Sequence, residues 1–498
     1  MESLYELAKL CSRQKHLVES MIPEDDKSPL KKLFILTYSE KQMSENECMI
    51  EIYGKRNQTA FARLKGRLRD IFFQAIILQG QVGNLEDIRS VEFLNNFKQT
   101  LISRILLQRK ATQLSTDIIE KSITKSMKFH VTENVLEQSR MLIAHYNGAM
   151  YNKYKLNKYQ AIQSQYLEIY KWEIKSENYY LDIQRDQFQS LANPSDEMKL
   201  KAYKYYTELQ EAKGIRSYFF NYNKYRIEAS YFEYIKDYHG LLMLSENALK
   251  EFNTPDFKTG NAISTISLRK LWALIQVEQI EESIKVGTKL MSRLSSGSLQ
   301  WYRIAHYTLK AKLYHGDYTG AIDTISEMVV NPKFLKLGDY FKEIFTTTLG
   351  YIHLLVDSGL IGNSSELKGK LPEFKLGKFL NTTPVFSKDK RGINVSILLM
   401  HIGYLLQRKD YSSIIDRIDS LNQYAYRYLR KDDSYRSNCM IKMVILMAKA
   451  DFNPIRTERY TAEMRTELSR VGLAGSGENI EIEIIPFEVL WDIMNKAL

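Results

Sequence analysis

The chain has 498 residues, and its 44% hydrophobic content, with 33 tyrosines and 21 phenylalanines, supplies core material that excludes a globally disordered polymer. Only 9 prolines and 23 glycines occur, and no proline lies between Pro29 and Pro194, a composition that points to helices. The formal charge of +11 and pI near 9.1 favour acidic partners such as nucleic acid, but over 58.3 kDa the excess is modest, so its distribution decides. Cys11, Cys48 and Cys439 are too few and too scattered for a disulfide framework, which suits a reducing compartment. The first residues lack a cationic segment followed by an apolar run and a cleavage site, and no apolar run reaches about 18 residues. A soluble cytoplasmic protein without membrane association is expected.

Residues 1–80 read as an N-terminal helical module. Leu4, Leu7, Ala8 and Leu10 predict a first helix, and residues 30–38 a second after the turn-rich stretch 23–29. Ser44-Glu-Asn-Glu47 has the Ser-x-x-Glu pattern of a capping box and opens a helix that ends near Gly54. Asn57-Gln-Thr59 then starts a helix whose buried stripe is Phe61, Leu64, Leu68, Ile71, Phe72 and Ala75. Helix, short turn and basic helix make a helix-turn-helix-like shape. Lys55, Arg56, Arg63, Lys65, Arg67 and Arg69 concentrate cations there, enough to contact phosphates, with any sequence readout falling to residues near the helix start. The same cations also serve as the solvated face that any amphipathic helix needs.

Residues 81–195 read as long helices with few breakers. Between Tyr151 and Tyr180, tyrosines alternate with lysines. That mixture can stack bases, but tyrosines at helical spacing more commonly pack their rings between helices, and this packing is the expectation.

Residues 196–498 carry repeats. Trp301, Ile304, Ala305, Thr308 and Leu309 place a stripe on one helix face, Gly316-Asp317 breaks it, and Tyr318, Ala321, Ile322, Ile325, Met328 and Val329 form a second stripe that ends at Asn331-Pro332. Equivalent starts fall at Asp237-Tyr238, at Ile280 and at Asp410-Tyr411. The hairpin at Gly316, Asp317, Tyr318, Ala321, Ile325, Met328 and Pro332 resembles a tetratricopeptide repeat (TPR), although Leu309 and Lys312 stand where that family prefers a small residue and an aromatic. The steps of 42 and 38 residues from Tyr238 to Ile280 to Tyr318 exceed the family's 34, so a degenerate repeat is expected. The fold class that follows is all-α: a TPR-like α-solenoid of helical hairpins behind the N-terminal module.

An irregular insertion rich in Gly, Ser, Lys and Pro occupies residues 362–394. Lys388, Lys390 and Arg391 within it, with Arg430, Lys431 and Arg436 further on, make a charged cluster that suits a carboxylate or phosphate, or an ion-pair network that pins the insertion to the solenoid. Ile480, Ile482 and Ile484 alternate with Glu481 and Glu483, which predicts a short C-terminal β-segment before a closing helix with Trp491. Phe386-Ser-Lys-Asp-Lys-Arg-Gly392, Tyr428-Leu-Arg-Lys-Asp-Asp433, Arg436-Ser-Asn-Cys439 and Glu481-Ile-Glu-Ile-Ile-Pro486 resemble a family of helical-repeat proteins from Bacteroidetes bacteria, about this long and without an assigned activity. That resemblance implies the fold and cytoplasmic residence, and no function.

No catalytic constellation assembles. The eight histidines include no HExxH pair, and Gly369-Lys370 and Gly377-Lys378 fail the phosphate-loop spacing because Ser364 and Pro372 stand where its first glycine belongs. No metal and no cofactor is implied. The expected function is a non-enzymatic cytoplasmic scaffold or adaptor that holds a protein or peptide on the concave face of the solenoid. The alternative is a nucleic-acid-binding regulator that uses the basic helix at 55–69 while the solenoid senses a partner.

Overall fold

The computed structural model describes residues 1–12, 15–23, 25, 28–39, 41–79, 88–148, 150–189, 194–361, 364–377, 379, 393–428, 435–472 and 482–498. These divide into two units: Met1–Leu167 with Pro255–Gly260, and Glu168–Thr254 with Asn261–Leu498. Among the described residues the regular structure is helical and no strand occurs.

The first unit begins with α1 (Glu2–Leu10), α2 (Lys15–Ser20), α3 (Pro29–Thr37), α4 (Glu45–Tyr53) and α5 (Gln58–Gln79). Leu4, Leu33, Phe34, Cys48, Phe61, Leu68 and Phe72 belong to a single apolar cluster built from these five helices and from Cys11 and Ile22 just beyond the first two. The capping box forms: Ser44 N–H donates to Glu47 at 2.7 Å, and Glu47 N–H donates back to the Ser44 hydroxyl. α6 (Ile88–Gln108), α7 (Thr112–Lys128) and α8 (Thr132–Asn147) then pack on one another. Their interior mixes Ile119, Ile123, Val135 and Leu142 with buried polar side chains. Gln138 donates to the Thr100 and Ser122 hydroxyls at 2.8 and 2.9 Å, and Ser122 donates to Asn96 at 3.0 Å, which links the three helices through buried hydrogen bonds.

α9 (Lys153–Gln189) contains the division between the units. Most tyrosines of its tract pack as expected. Tyr159 and Tyr166 are buried, and Tyr179 stacks on Tyr205 with ring centroids 3.9 Å apart and bonds Glu208 through its hydroxyl; Tyr151 and Tyr154 stay exposed.

The second unit continues with α10 (Asp196–Leu209), α11 (Tyr218–Tyr234), α12 (Tyr238–Phe252), α13 (Gly260–Gln276), α14 (Ile280–Met291), α15 (Leu299–His315), α16 (Tyr318–Val330), α17 (Asp339–Asp357), α18 (Ser364–Lys370), α19 (Ile393–Gln407), α20 (Tyr411–Tyr428), α21 (Tyr435–Lys449), α22 (Pro454–Arg470) and α23 (Phe487–Lys496). Packing follows chain order: α10 to α12, α14 to α17, then α17 on α19, and α19 through α22 in turn, an arrangement consistent with an α-solenoid. The repeat starts read from the sequence, Tyr238, Ile280, Tyr318 and Tyr411, each open a helix. Asp237 and Asp317 cap theirs alike, accepting from Gly240 and Gly320 N–H at 2.8 and 2.9 Å. Gly316 ends α15 at φ +80°, the left-handed turn that the Gly-Asp pair predicts.

Two expectations change. The insertion is partly core: α18 is followed by Leu371, Leu376 and Phe379, all buried in the main cluster, while residues 380–392 lie outside the described residues. The C-terminal β-segment does not form. Ile480 and Glu481 lie outside the described residues, and residues 482–485 make a turn and bend in which Glu483 is as buried as the isoleucines around it. A strand pattern assigns Glu483 to solvent, but Arg436 holds it inside. The carbonyls of Ile482 and Glu483 accept from the Ser396 and Tyr314 hydroxyls, so the backbone is satisfied without a neighbouring strand.

Candidate nucleic-acid interface and the charged C-terminal loops

The basic segment is positioned by the core beneath it. Phe61, Leu64, Leu68, Phe72 and Ala75 anchor one face of α5, and the Asn57 side chain accepts from Ala60 N–H at 3.1 Å to fix where the helix starts. Gly54 ends α4 at φ +70°, so residues 54–57 make the short turn between the helices. Lys55, Arg56, Arg63, Arg67 and Arg69 are exposed as a result. Lys55, Arg56, Arg63 and Arg67 have no carboxylate partner among the described residues, and Arg69 lies over the Phe73 ring at 6.0 Å.

Lys65 differs. It is half-buried and pairs with Glu45, which also accepts from the Met1 ammonium at 3.0 Å. The hydrogen bond from Lys65 first, and the one from the terminal ammonium next, hold the Glu45 carboxyl below its ordinary range. Lys65 thus ties α5 to α4 and is not free for phosphate. Gln58, Thr59 and Ala62, at or near the helix start, have exposed or near-exposed side chains beside Arg63. The sequence pointed to this place through the helix start Asn57-Gln-Thr59. Together they place unpaired cations, of the kind that contact phosphates, beside the exposed polar side chains of Gln58 and Thr59 at a helix start.

The second cluster reads differently. Lys388, Lys390, Arg391, Arg430 and Lys431 lie outside the described residues. Arg436 is 3% exposed, and every hydrogen bond it makes is within the chain. Its Nε and Nη2 donate to Glu483 at 3.0 and 2.7 Å, its Nη1 and Nη2 to Glu488 at 2.9 and 2.6 Å, and its Nη1 also to the carbonyls of Leu468 and Val471 at 2.8 and 2.7 Å. Burial pulls the guanidinium pKa down, but the bonds to Glu483 and Glu488 outweigh it and the net shift is upward. Arg436 is therefore a structural ion that joins α21, α22, the segment before α23 and α23 itself. Glu483 and Glu488, its two partners, were not singled out from sequence, because 47 and 52 residues separate them from it.

Among the described residues no group of three or more His, Cys, Asp or Glu side chains is placed to hold a metal ion, and no helix is long and apolar enough to cross a membrane. Cys11, Cys48 and Cys439 are buried free thiols whose pKa burial pushes up, which disfavours the reactive thiolate. No protein-family model, curated protein or solved structure matches this chain.

Proposed function

We propose that this chain is a nucleic-acid-binding regulator that engages the phosphate backbone through the turn and first half of α5 while its helical-repeat unit holds a protein or peptide partner. The observation that carries the reading is the set of four unpaired, exposed cations, Lys55 and Arg56 in the turn and Arg63 and Arg67 on α5, a helix whose start and seating are fixed by Asn57 and an apolar core. No catalytic step is part of it. The test is purification of the full chain at low salt, with and without nuclease, reading the absorbance ratio at 260 and 280 nm. Nucleic acid should co-purify with the native chain, leave on raising salt, and be lost in Arg63→Glu with Arg67→Glu at unchanged helical circular dichroism. Equal retention by the double variant would sink the reading.

The second reading is a non-enzymatic scaffold or adaptor that works through the repeat unit alone. It is favoured by the series of consecutively packed helices in the second unit, the arrangement that presents an extended surface to a peptide or helix. A protein partner that stays bound after nuclease and moderate salt, with no nucleic acid present, would put this reading first.

A further inference from the structure

α6 is amphipathic in the opposite sense to the usual surface helix. The residues it buries are Arg89, Asn96, Thr100 and Ser103, and of these Asn96 and Thr100 bond Ser122 and Gln138 on the neighbouring helices. Roughly half a turn around the helix runs a different stripe: Val91, Leu94, Lys98, Leu101 and Ile105. Their spacing alternates three and four residues, the a and d pattern of a helix that packs along another helix. Leu101 and Ile105 are 51% and 42% exposed, beside them Phe97 and Ile102 are 40% and 44% exposed, and Val91, Leu94 and Lys98 are half-buried. Apolar side chains at this spacing and exposure mark a surface that something covers.

We propose that a second copy of this chain covers it, the two α6 helices lying antiparallel. Area supports the pairing. The stripe and its flanks expose roughly 400 Å² of apolar surface per copy, and at the usual apolar share of an interface this implies about 1,300 Å² buried in total, within the range of stable dimers. Register supports it too. An antiparallel pairing that sets each a position against a d position places Leu94 against the other copy's Ile105 and Lys98 against its Leu101. Lys98 has no carboxylate partner among the described residues. In this register its stem lies on a leucine while its ammonium reaches water, whereas a parallel pairing would stack Lys98 on Lys98. The contact is isologous and closes at two copies. It is independent of the nucleic-acid reading.

Sedimentation velocity of the full chain, from micromolar to tens of micromolar, tests the pairing. A particle of twice 58.3 kDa is expected. Leu101→Asp with Ile105→Asp should sediment as a monomer with unchanged circular dichroism, because both side chains face solvent in the single chain, and its melting temperature should no longer rise with protein concentration. An oxidised mixture of Leu94→Cys and Ile105→Cys chains should form the mixed disulfide dimer, and Leu94→Cys alone should not. A native chain that stays monomeric at tens of micromolar, or a dimer that survives both aspartates, overturns the proposal. So does a monomer that instead binds a synthetic acidic amphipathic helix, which would assign the stripe to a different protein. Cross-linking of Leu94→Cys to itself would overturn the antiparallel register.

Discussion

Arg436 and His306 show at the scale of single residues how this chain handles buried polar chemistry. Arg436 carries a full charge into the interior, and Glu483 and Glu488 with two carbonyls occupy its donors. Removing the cation leaves a buried carboxylate uncompensated, which typically costs about 3–5 kcal/mol. Arg436→Met should lower unfolding free energy by that amount in urea, and Arg436→Met with Glu483→Gln should recover part of it. A single-variant loss below about 1 kcal/mol would show the network to be dispensable. His306 takes the opposite course and stays neutral. Burial first, and nearby Lys310 second, push its pKa down to about 3. The unfolded chain binds a proton near pH 6.5 that the folded chain refuses, so stability is full above pH 6.5 and falls as pH drops from there toward 3. The slope reaches at most about 1.4 kcal/mol per pH unit. His306→Phe should flatten that part of the stability profile between pH 6.5 and 5, and an unchanged slope would mean that other groups set it.

At the scale of the element, the repeat start Asp-Tyr-x-Gly is a working cap. The Asp317 carboxylate accepts from Gly320 N–H at 2.9 Å, and a Cβ on Gly320 would lie 2.2 Å from the nearer carboxylate oxygen. Cap and glycine are therefore coupled. Asp317→Ala should cost about 1 kcal/mol. Gly320→Ala should also destabilise the native protein by displacing the cap, yet stabilise the Asp317→Ala background by up to about 1 kcal/mol through helix propensity. A thermal double-mutant cycle in which Gly320→Ala has one sign in both backgrounds would rule the coupling out. At the start Asp410-Tyr411, Ser413 stands in the glycine position and Asp410 accepts from its N–H at 3.2 Å and from its hydroxyl at 2.8 Å, so there a Cβ and the cap coexist at a longer backbone distance. Such starts were legible because every determinant lies within four residues. So were the capping box at Ser44 and Glu47, the buried stripe of α5, and the turn at Gly316. What escaped depends on distant partners. The Ile-Glu alternation suggested a strand because nothing local reveals that Arg436 draws Glu483 inward. The polar face of α6 was not read from the sequence because Ser122 and Gln138, which bond Asn96 and Thr100 on it, lie on two other helices. The candidate site shows the same division: the cations of α5 were readable one by one, but that Lys65 is occupied by Glu45 while Arg63 and Arg67 are unpaired is a property of the packed module.

For the molecule as a whole, the question is whether net charge or its placement holds an anionic polymer. A formal +11 spread evenly would attract nucleic acid diffusely, and any two surface lysines would then contribute alike. Concentration of unpaired cations on α5 predicts otherwise. Each phosphate neutralised by a bound cation releases counterions and adds about 0.9 to the steepness with which log affinity falls against log salt. Arg63→Ala with Arg67→Ala should therefore reduce that slope by about 2, measured by fluorescence anisotropy with a short labelled duplex between about 50 and 200 mM salt. Lys285→Ala with Lys289→Ala removes the same formal charge from the exposed side of α14 in the other unit, and should leave the slope unchanged. Equal effects from the two pairs would assign binding to overall charge and remove the reason to single out α5. A loss confined to the arginine pair would localise phosphate contact to a module that brings its own core, leaving the packed repeats of the second unit free to bind something else.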